Sequence, residues 1–403
     1  MYGKFFLFGA IVKVASGILP FAMMPFIIDS LGIEDYGKYG LVNLISMLLL
    51  PFACLNIQSY QRKKSVQDPV KKNKYLLISL TTILTLFCLL CVPVYIGFDL
   101  IDLAGLYGVN GLFILFSSSM IAIHTSFETY VTTKLSSKST VAFAAISQIF
   151  IWLGIYLFVV HYHSPYARLI SFSLLAIFFL AIGSYRGLLS SHSMPVETSK
   201  FVKDGIRFSA PLAAISITEL LLLHFDKLFV SYYLSGSDIG YYFSISQIAS
   251  VLMFGFQAVL FPLEPLIYKG ARKTIIVSIS LLIFGGIVAT GLVYALPQLI
   301  IGLLVGVVPD VYYHAFKFLL LGYFFKGIGL VLMPFLIRDE IHASVLKYLI
   351  IATLIYIPAQ ISVGIGFGVV ATSILFLALN LFMFLILLSL VLRRPSKKDL
   401  SCE

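Results

Sequence analysis

Several ionisable side chains lie inside long apolar segments of this sequence. Glu219, Asp226 and Lys227 share one such segment, and Lys13 and Lys326 each lie in another. A charge at the centre of a bilayer costs about 2.5–3.5 kcal/mol on insertion scales, so these residues usually face a cavity or a charged partner. Lysine ammonium groups bind phosphate well, and carboxylates accept protons and cations. The residue types therefore predict a cavity that binds an anionic substrate, without covalent chemistry.

The spacing i, i+7 and i+8 puts three of these charges on one face of a helix. We expect the residues that line the cavity and bind substrate to be Lys13, Lys227, Lys326, Asp226 and Glu219. The candidates for coupling to a proton or another ion are Glu219, Asp226 and His224. A simpler interpretation places Asp226 and Lys227 near the exterior interface, with Lys227 reaching towards the head groups and His224 as a packing residue.

The sequence offers little for metal, redox or nucleophilic chemistry. His161 and His163 have the spacing of a weak metal pair, but no third ligand accompanies them. Cys88 and Cys91 have the spacing of a redox motif, yet inside an apolar helix they are better explained as small packing residues. We therefore expect no catalytic residue, no metal and no cofactor, and a protein that is not an enzyme.

The elements that position these residues are long apolar helices. Hydrophobic residues make up 60% of the chain and charged residues 11%, against roughly 45–50% and 25% in soluble domains. Continuous apolar runs of about 20 residues favour spanning helices over the alternating strands of a barrel. We predict an all-α integral membrane fold with about twelve spans. They are 5–28, 37–58, 75–97, 107–127, 139–160, 167–185, 208–232, 240–262, 274–296, 314–336, 348–367 and 369–391.

Lysine and arginine are concentrated in every second connection between these spans. The connection 59–74 alone contains Arg62, Lys63, Lys64, Lys71, Lys72 and Lys74. At the alternate connections the basic residues are Lys38 and Arg168, each at the second position of the predicted span that follows. Because basic residues stay on the cytoplasmic side, both termini are predicted to be cytoplasmic and the number of spans to be even. The net charge of +10 is therefore a topology signal and does not indicate nucleic-acid binding.

Two segments near the exterior side repeat each other at an offset of 203 residues. The identical pairs are Phe26/Phe229, Leu31/Leu234, Asp35/Asp238, Gly37/Gly240, Tyr39/Tyr242 and Ile45/Ile248. An even number of spans separates them, so the halves are parallel repeats related by an axis along the membrane normal. This predicts two lobes of about six helices, 1–200 and 201–403, around a central cavity. In the alternative interpretation, the shared Asp-x-Gly-x-Tyr is ordinary turn chemistry.

Three segments of the sequence resemble one family. P-F-I-I-D-S-L-G-I-E-D-Y-G-K-Y-G, from Pro25 to Gly40, resembles the start of polysaccharide flippases. These are the O-antigen flippases of the Wzx type, in the multidrug/oligosaccharidyl-lipid/polysaccharide (MOP) exporter superfamily. Phe225 to Tyr242 is similar to that family's seventh span and the turn after it, and Gly364 to Ser373 is similar to its closing pair of helices.

The resemblance implies transport of a lipid-linked oligosaccharide, carried on undecaprenyl diphosphate, across a bacterial inner membrane for surface polysaccharide or lipopolysaccharide synthesis. Asp226 and Lys227 match the acidic–basic pair of the family's seventh span, and Lys13 matches a basic residue of the first. The partners it implies are membrane lipids, a polysaccharide polymerase and a chain-length regulator, and no nucleic acid. The hairpin 162–171 departs from the pattern, because it does not mirror the glycine-rich closing hairpin.

Two other functions remain open at this point. A cation-coupled exporter of small amphiphiles on the same fold would use Glu219, Asp226 and His224 as ion or proton sites. A membrane-embedded glycan polymerase or acyltransferase is less favoured, because the predicted connections are too short to form an extramembrane domain for its chemistry. The two-lobe repeat argues further against an enzyme of that kind.

Overall fold

The computed structural model describes residues 18–100, 110–134, 137–185, 195–234, 236–269, 272–338 and 342–392. These residues are almost entirely helical, because a helix satisfies every backbone N–H and C=O within its own segment, as lipid requires. Residues 18–31 belong to the first helix, α1. The next helices are α2 Ile33–Cys54, α3 Ile57–Gln67, α4 Lys72–Leu100, α5 Gly111–Lys134, α6 Ser137–Tyr162 and α7 Ala167–Tyr185. They are followed by α8 Pro195–Tyr233, α9 Ser237–Lys269, α10 Arg272–Ala295, α11 Pro297–Leu304, α12 Asp310–Arg338 and α13 His342–Leu392.

Ten helical segments among the described residues are long and apolar enough to cross a membrane. α10 and α11 together pass the same test but meet at a bend of 79°, which gives an eleventh candidate. The first predicted span, 5–28, lies partly outside the described residues, and its described part is helical. The prediction of an all-helical, multi-pass membrane protein is therefore confirmed.

Breaks between helices occur at residues with identifiable local chemistry. α11 begins with Pro297, which is favourable at the first helical position but cannot continue a preceding helix. α13 is broken at Gly368, whose φ of 72° is accessible to glycine at little cost. The two arms of α13 contain the candidate spans Ser344–Gly364 and Gly366–Leu392. This break agrees with the predicted boundary between spans 348–367 and 369–391.

The chain divides into two compact units. The first unit comprises Phe26–His224 together with Gly236–Gly240. In its core, residues of α2, α3, α4, α5 and α7 pack against the start of α8. The polar helix α3 is fixed to α5 by two buried glutamines: Gln58 Nε2 donates to the carbonyl of Ala122 at 3.2 Å and Gln61 Nε2 to that of Ser126 at 3.1 Å.

The first turn of α9 belongs to this first unit and approaches α2 closely. A Cβ on Gly37 would lie 2.8 Å from the backbone nitrogen of Gly240, and one on Gly240 would meet the carbonyl oxygen of Ile33. Only hydrogen atoms fit between these backbones. Gly37 and Gly240 are also a pair of the predicted repeat, so the repeat explains which residues make this contact.

Among the described residues, the second unit comprises 18–25, 225–234, 241–269, 272–338 and 342–392. Two glycines in it allow aromatic rings to pack against helix backbones. A Cβ on Gly322 of α12 would meet the ring of Phe376, and one on Gly364 of α13 would meet the ring of Phe229. These contacts bring α8, α12 and both arms of α13 together around the charged residues of α8.

Candidate functional site

The centre of the candidate site is an ion pair between adjacent residues of α8. Asp226 is 0% exposed and Lys227 6% exposed, and both belong to the second unit. The Lys227 Nζ lies 3.4 Å from each of the two carboxylate oxygens of Asp226. Two charges this deeply buried need each other, because an unpaired buried charge is strongly destabilising.

Hydroxyl groups from two other helices complete the polar surroundings of the pair. The Tyr242 hydroxyl of α9 donates to Asp226 Oδ2 at 2.8 Å. The Tyr323 hydroxyl of α12 accepts a hydrogen bond from Lys227 Nζ at 3.0 Å and lies 3.0 Å from Ser246 Oγ of α9. A hydrogen bond to a charged group contributes more than one between neutral groups, so these hydroxyls help to hold the pair in this geometry.

Aromatic rings form the other side of the lysine's surroundings. The Lys227 Nζ is 5.6 Å from the centroid of the Tyr323 ring and 5.7 Å from that of Phe376, on the second arm of α13. The two rings are themselves 4.9 Å apart. A cation within about 6 Å of an aromatic ring is attracted by its electron-rich face, and the attraction is larger where water is absent. We call the residues 226, 227, 242, 246, 323 and 376 the buried cluster.

A second polar layer connects the two arms of α13 beside the buried cluster. Gln360 is fully buried, and its Nε2 donates to the Tyr356 hydroxyl at 2.7 Å and to the Thr372 carbonyl at 3.1 Å. Tyr356 is close enough to Asp226 to interact with its charge. The break at Gly368 is thus bridged by a side chain, and the bridge lies next to the ion pair.

The arrangement is suited to holding a cation against a carboxylate. Among the described residues of the buried cluster, the reactive groups are a carboxylate, an ammonium and hydroxyls that all bond to one another. These contacts hold the ion pair inside the protein. The geometry favours a structural or electrostatic role for it.

The other predicted site residues lie elsewhere. Lys326 is half-buried on α12, in the second unit. Glu219 and His224 are half-buried on the part of α8 that belongs to the first unit. Lys13 lies outside the described residues. The structure therefore brings Asp226 and Lys227 together, and the wider substrate site stays a prediction.

His163, Cys88 and Cys91 lie at exposed or half-buried positions. His163 Nδ1 is hydrogen-bonded to the carbonyl of Ser30 at 2.7 Å. Cys88 and Cys91 are free thiols on α4. Within the described part of the chain, no group of three or more His, Cys, Asp or Glu side chains is arranged to hold a metal ion.

Sequence reasoning missed the partners of the pair. Tyr323, Ser246 and Phe376 are residue types that occur throughout apolar helices, and nothing in their spacing indicates a charged neighbour. Tyr242 was singled out through the repeat, as the equivalent of Tyr39, but without a link to Asp226. Contacts between helices so distant along the chain carry no short-range sequence signal.

Solved structures similar to this chain are membrane transporters. The MATE multidrug transporter DinF-BH matches with a TM-score of 0.69 and 14% identity over 97% of this chain and 95% of that one. A variant of the Vibrio cholerae MATE transporter VcmN matches with a TM-score of 0.61 and 11% identity, over 96% and 94%. A MOP superfamily transporter from Pyrococcus furiosus, described as having a binding pocket of reversed polarity, gives 0.57 and 11% over 96% and 94%.

No family model and no curated protein matches the sequence. At identities this low, the likeness to solved structures establishes the fold. The chain therefore has the all-helical fold of MATE transporters, over nearly its whole length. This agrees with the transporter fold that the sequence predicts.

Proposed function

We propose that this protein is a transporter that moves an amphiphilic solute across a membrane by alternating access, without making or breaking a covalent bond. The observation that carries the proposal is the match to MATE transporter structures over 97% of this chain. The charged residues within apolar helices support it, because such residues usually mark substrate or ion pathways. The substrate class can be one of two, and each is supported by a different observation.

The first candidate is export of small amphiphilic compounds, in the manner of a multidrug transporter. It is supported by the fold, since DinF-BH is a MATE multidrug transporter of the same architecture. Coupling to a cation in this case needs an accessible carboxylate. The candidates for the ion or proton site are Glu219, His224 and Asp226 on α8, and Asp226 is held by Lys227 and Tyr242.

The second candidate is a flippase for a lipid-linked oligosaccharide, with undecaprenyl diphosphate as the carrier, in a bacterial inner membrane. It is supported by the resemblance of Pro25 to Gly40 and of Phe225 to Tyr242 to Wzx-type flippases. In this case Lys13 and Lys326 bind the diphosphate and any sugar acids, since ammonium groups suit phosphate. A polysaccharide polymerase and a chain-length regulator are then the functional partners.

Deletion of the gene, followed by two assays on the same strain, tests both candidates. Loss of surface polysaccharide on a gel, restored by the wild-type gene, supports the flippase. Greater sensitivity to cationic dyes with reduced dye efflux, at unchanged surface polysaccharide, supports the exporter. If deletion alters neither, and the purified protein in liposomes moves neither dye nor lipid-linked glycan, the transporter proposal is wrong.

The candidate lysines are tested in the assay that responds to deletion. For a diphosphate substrate, Lys13→Gln and Lys326→Gln at matched membrane levels should each lower transport by about tenfold, the loss of one charge-assisted contact. Lys203→Gln is the control, because Lys203 is an exposed residue near the start of α8. Full activity in both cavity variants would remove these lysines from the substrate site.

A further inference from the structure

The ammonium of Lys227 has the surroundings of a bound monovalent cation. Its Nζ is equidistant, at 3.4 Å, from both carboxylate oxygens of Asp226, and 3.0 Å from the Tyr323 hydroxyl. Two aromatic rings, of Tyr323 and Phe376, lie within 5.7 Å of it. Carboxylate and hydroxyl oxygens are the ligands that hard cations prefer, and aromatic faces attract cations further.

We infer that the buried cluster is a monovalent-cation site in which the side chain of Lys227 is the permanently bound cation. Asp226 supplies the negative charge, and Tyr242 and Ser246 fix the carboxylate and the Tyr323 hydroxyl in place. The lysine belongs to the same helix as the carboxylate, so it cannot dissociate into solution as an inorganic ion does. The second unit is then always in its cation-loaded form.

Two observations favour this explanation over an ordinary packing salt bridge. The pair is adjacent in sequence, so it cannot tie one helix to another as most buried ion pairs do. Every hydroxyl that contacts the pair comes from a different helix, α9 or α12. The carboxylate thus contacts α9 and the ammonium contacts α12, as a bound ion and its carboxylate ligand would.

A tethered cation beside Asp226 affects how transport can be coupled to an ion gradient. A carboxylate that is permanently neutralised by a tethered ammonium cannot bind and release a sodium ion or a proton in each transport cycle. Asp226 is then excluded as the coupling site that a cation-driven exporter needs. The inference concerns the folded protein itself and does not depend on which substrate class is correct.

Thermal unfolding of the purified protein in lipid nanodiscs tests the inference. Lys227→Ala removes three methylenes and the ammonium, which together correspond to n-propylammonium. We expect the variant to unfold at a lower temperature than wild type in choline chloride. Potassium, sodium or n-propylammonium chloride, at constant ionic strength, should raise its unfolding temperature by several degrees and in a saturable way. The wild type should show no saturable response that depends on Asp226.

Two further variants distinguish a vacated cation site from a general salt effect. The double variant Asp226→Asn/Lys227→Ala lacks the carboxylate, so it should show no saturable response to the three cations beyond that of the wild type. Lys317→Ala is the control, since Lys317 is a half-buried lysine of the second unit and lies 5.2 Å from the centroid of the Tyr294 ring. It should behave like the wild type towards these cations.

Three outcomes would contradict the proposed tethered cation. If Lys227→Ala is insensitive to all three cations, the ammonium does not occupy a cation site. If the wild type itself is stabilised by sodium or potassium and Asp226→Asn abolishes this, an exchangeable ion binds beside Lys227. Lys227→Ala can be purified in each salt if it does not fold in choline chloride. Recovery of monodisperse protein only in potassium or n-propylammonium chloride then supports the inference. Failure to fold in every salt contradicts it. No transported substrate enters these measurements, so failure of the proposed function would leave their interpretation unchanged.

Discussion

At the residue scale, the stability of the Asp226–Lys227 pair depends on the hydroxyls around it. Removing two charges from water is costly, and their mutual attraction compensates only when further hydrogen bonds satisfy the remaining lone pairs and protons. Tyr242 and Tyr323 make these hydrogen bonds, and both are fully or nearly fully buried. Loss of either hydroxyl should leave part of a buried charge unsatisfied.

Tyr323→Phe tests this dependence with the least change in shape. The variant keeps the ring beside Lys227 and Phe376 but loses the hydroxyl that contacts Lys227 and Ser246. We expect the free energy of unfolding to fall by roughly 1–3 kcal/mol, the usual effect of leaving a buried polar group unsatisfied. Denaturant titration in detergent measures it.

The control for this substitution is Tyr162→Phe. Tyr162 is 72% exposed at the end of α6 and keeps its ring contact with Phe158 when the hydroxyl is removed. Its unfolding free energy should stay within about 0.5 kcal/mol of wild type. Equal stability of Tyr323→Phe and the wild type would show that the hydroxyl is not needed by the ion pair.

The sequence predicted the two charges of the site but not their partners. Asp226 and Lys227 were found because any charge within an apolar run requires an explanation. Tyr323, Ser246 and Phe376 could not be found in this way, because tyrosine, serine and phenylalanine in a membrane helix need no explanation. The exposure of a charge also depends on tertiary packing: Lys227 was predicted to line a cavity, and the structure shows it 6% exposed.

At the element scale, sequence predicts the existence of helices better than their ends. The seventh span was predicted over 208–232, whereas α8 runs from Pro195 to Tyr233. The run of apolar residues that predicts a span ends where the chain enters the polar interface. The helix itself continues as long as its backbone hydrogen bonds continue. The bend between α10 and α11 was not predicted, although Pro297 explains it once the break is seen.

The start of α9 provides a prediction at this scale. A Cβ on Gly240 would meet the carbonyl oxygen of Ile33, and backbone atoms cannot move aside as a flexible side chain can. We expect Gly240→Ala to lower the free energy of unfolding by about 1–3 kcal/mol, as overpacking of a tight contact does. The unfolding temperature of the purified variant and its yield in membranes report the effect.

Gly255→Ala is the matched control, because Gly255 lies in the same helix with nothing within 4 Å of the position of an added Cβ. This substitution should stabilise the protein by about 0.5–1 kcal/mol, since alanine is a better helix former than glycine. Opposite effects in the two variants would identify the close approach of α2 and α9 as the cause. Similar effects in both would contradict it.

At the scale of the whole molecule, the two repeats differ in charge. At the offset of 203 residues, Met23 and Met24 occupy the positions that correspond to Asp226 and Lys227. Met24 is fully buried, so an apolar side chain is found where the other repeat has its lysine. The repeated segments therefore share a hairpin motif but not an ion pair. The predicted lobe boundary at 200/201 stays a prediction.

The orientation of the molecule in the membrane is the remaining prediction at this scale. The concentration of basic residues in alternate connections predicts that the turn at Val70 is cytoplasmic and that the turn at Val307 is exterior. Both valines are 93% exposed, so differences in their reactivity report sidedness and not burial. Single cysteines at these two positions, in a variant without the native cysteines, provide the measurement.

In intact spheroplasts, a membrane-impermeant maleimide should label Val307→Cys and leave Val70→Cys unmodified until the membrane is permeabilised. Tyr185→Cys, also 93% exposed and at the end of α7 that is predicted to be cytoplasmic, should behave like Val70→Cys. Labelling of the two predicted cytoplasmic positions from outside, with Val307→Cys protected, would reverse the topology. Lys63 and Lys203 would then face the exterior. Agreement of all three positions with prediction would confirm the orientation that the distribution of lysine and arginine predicts.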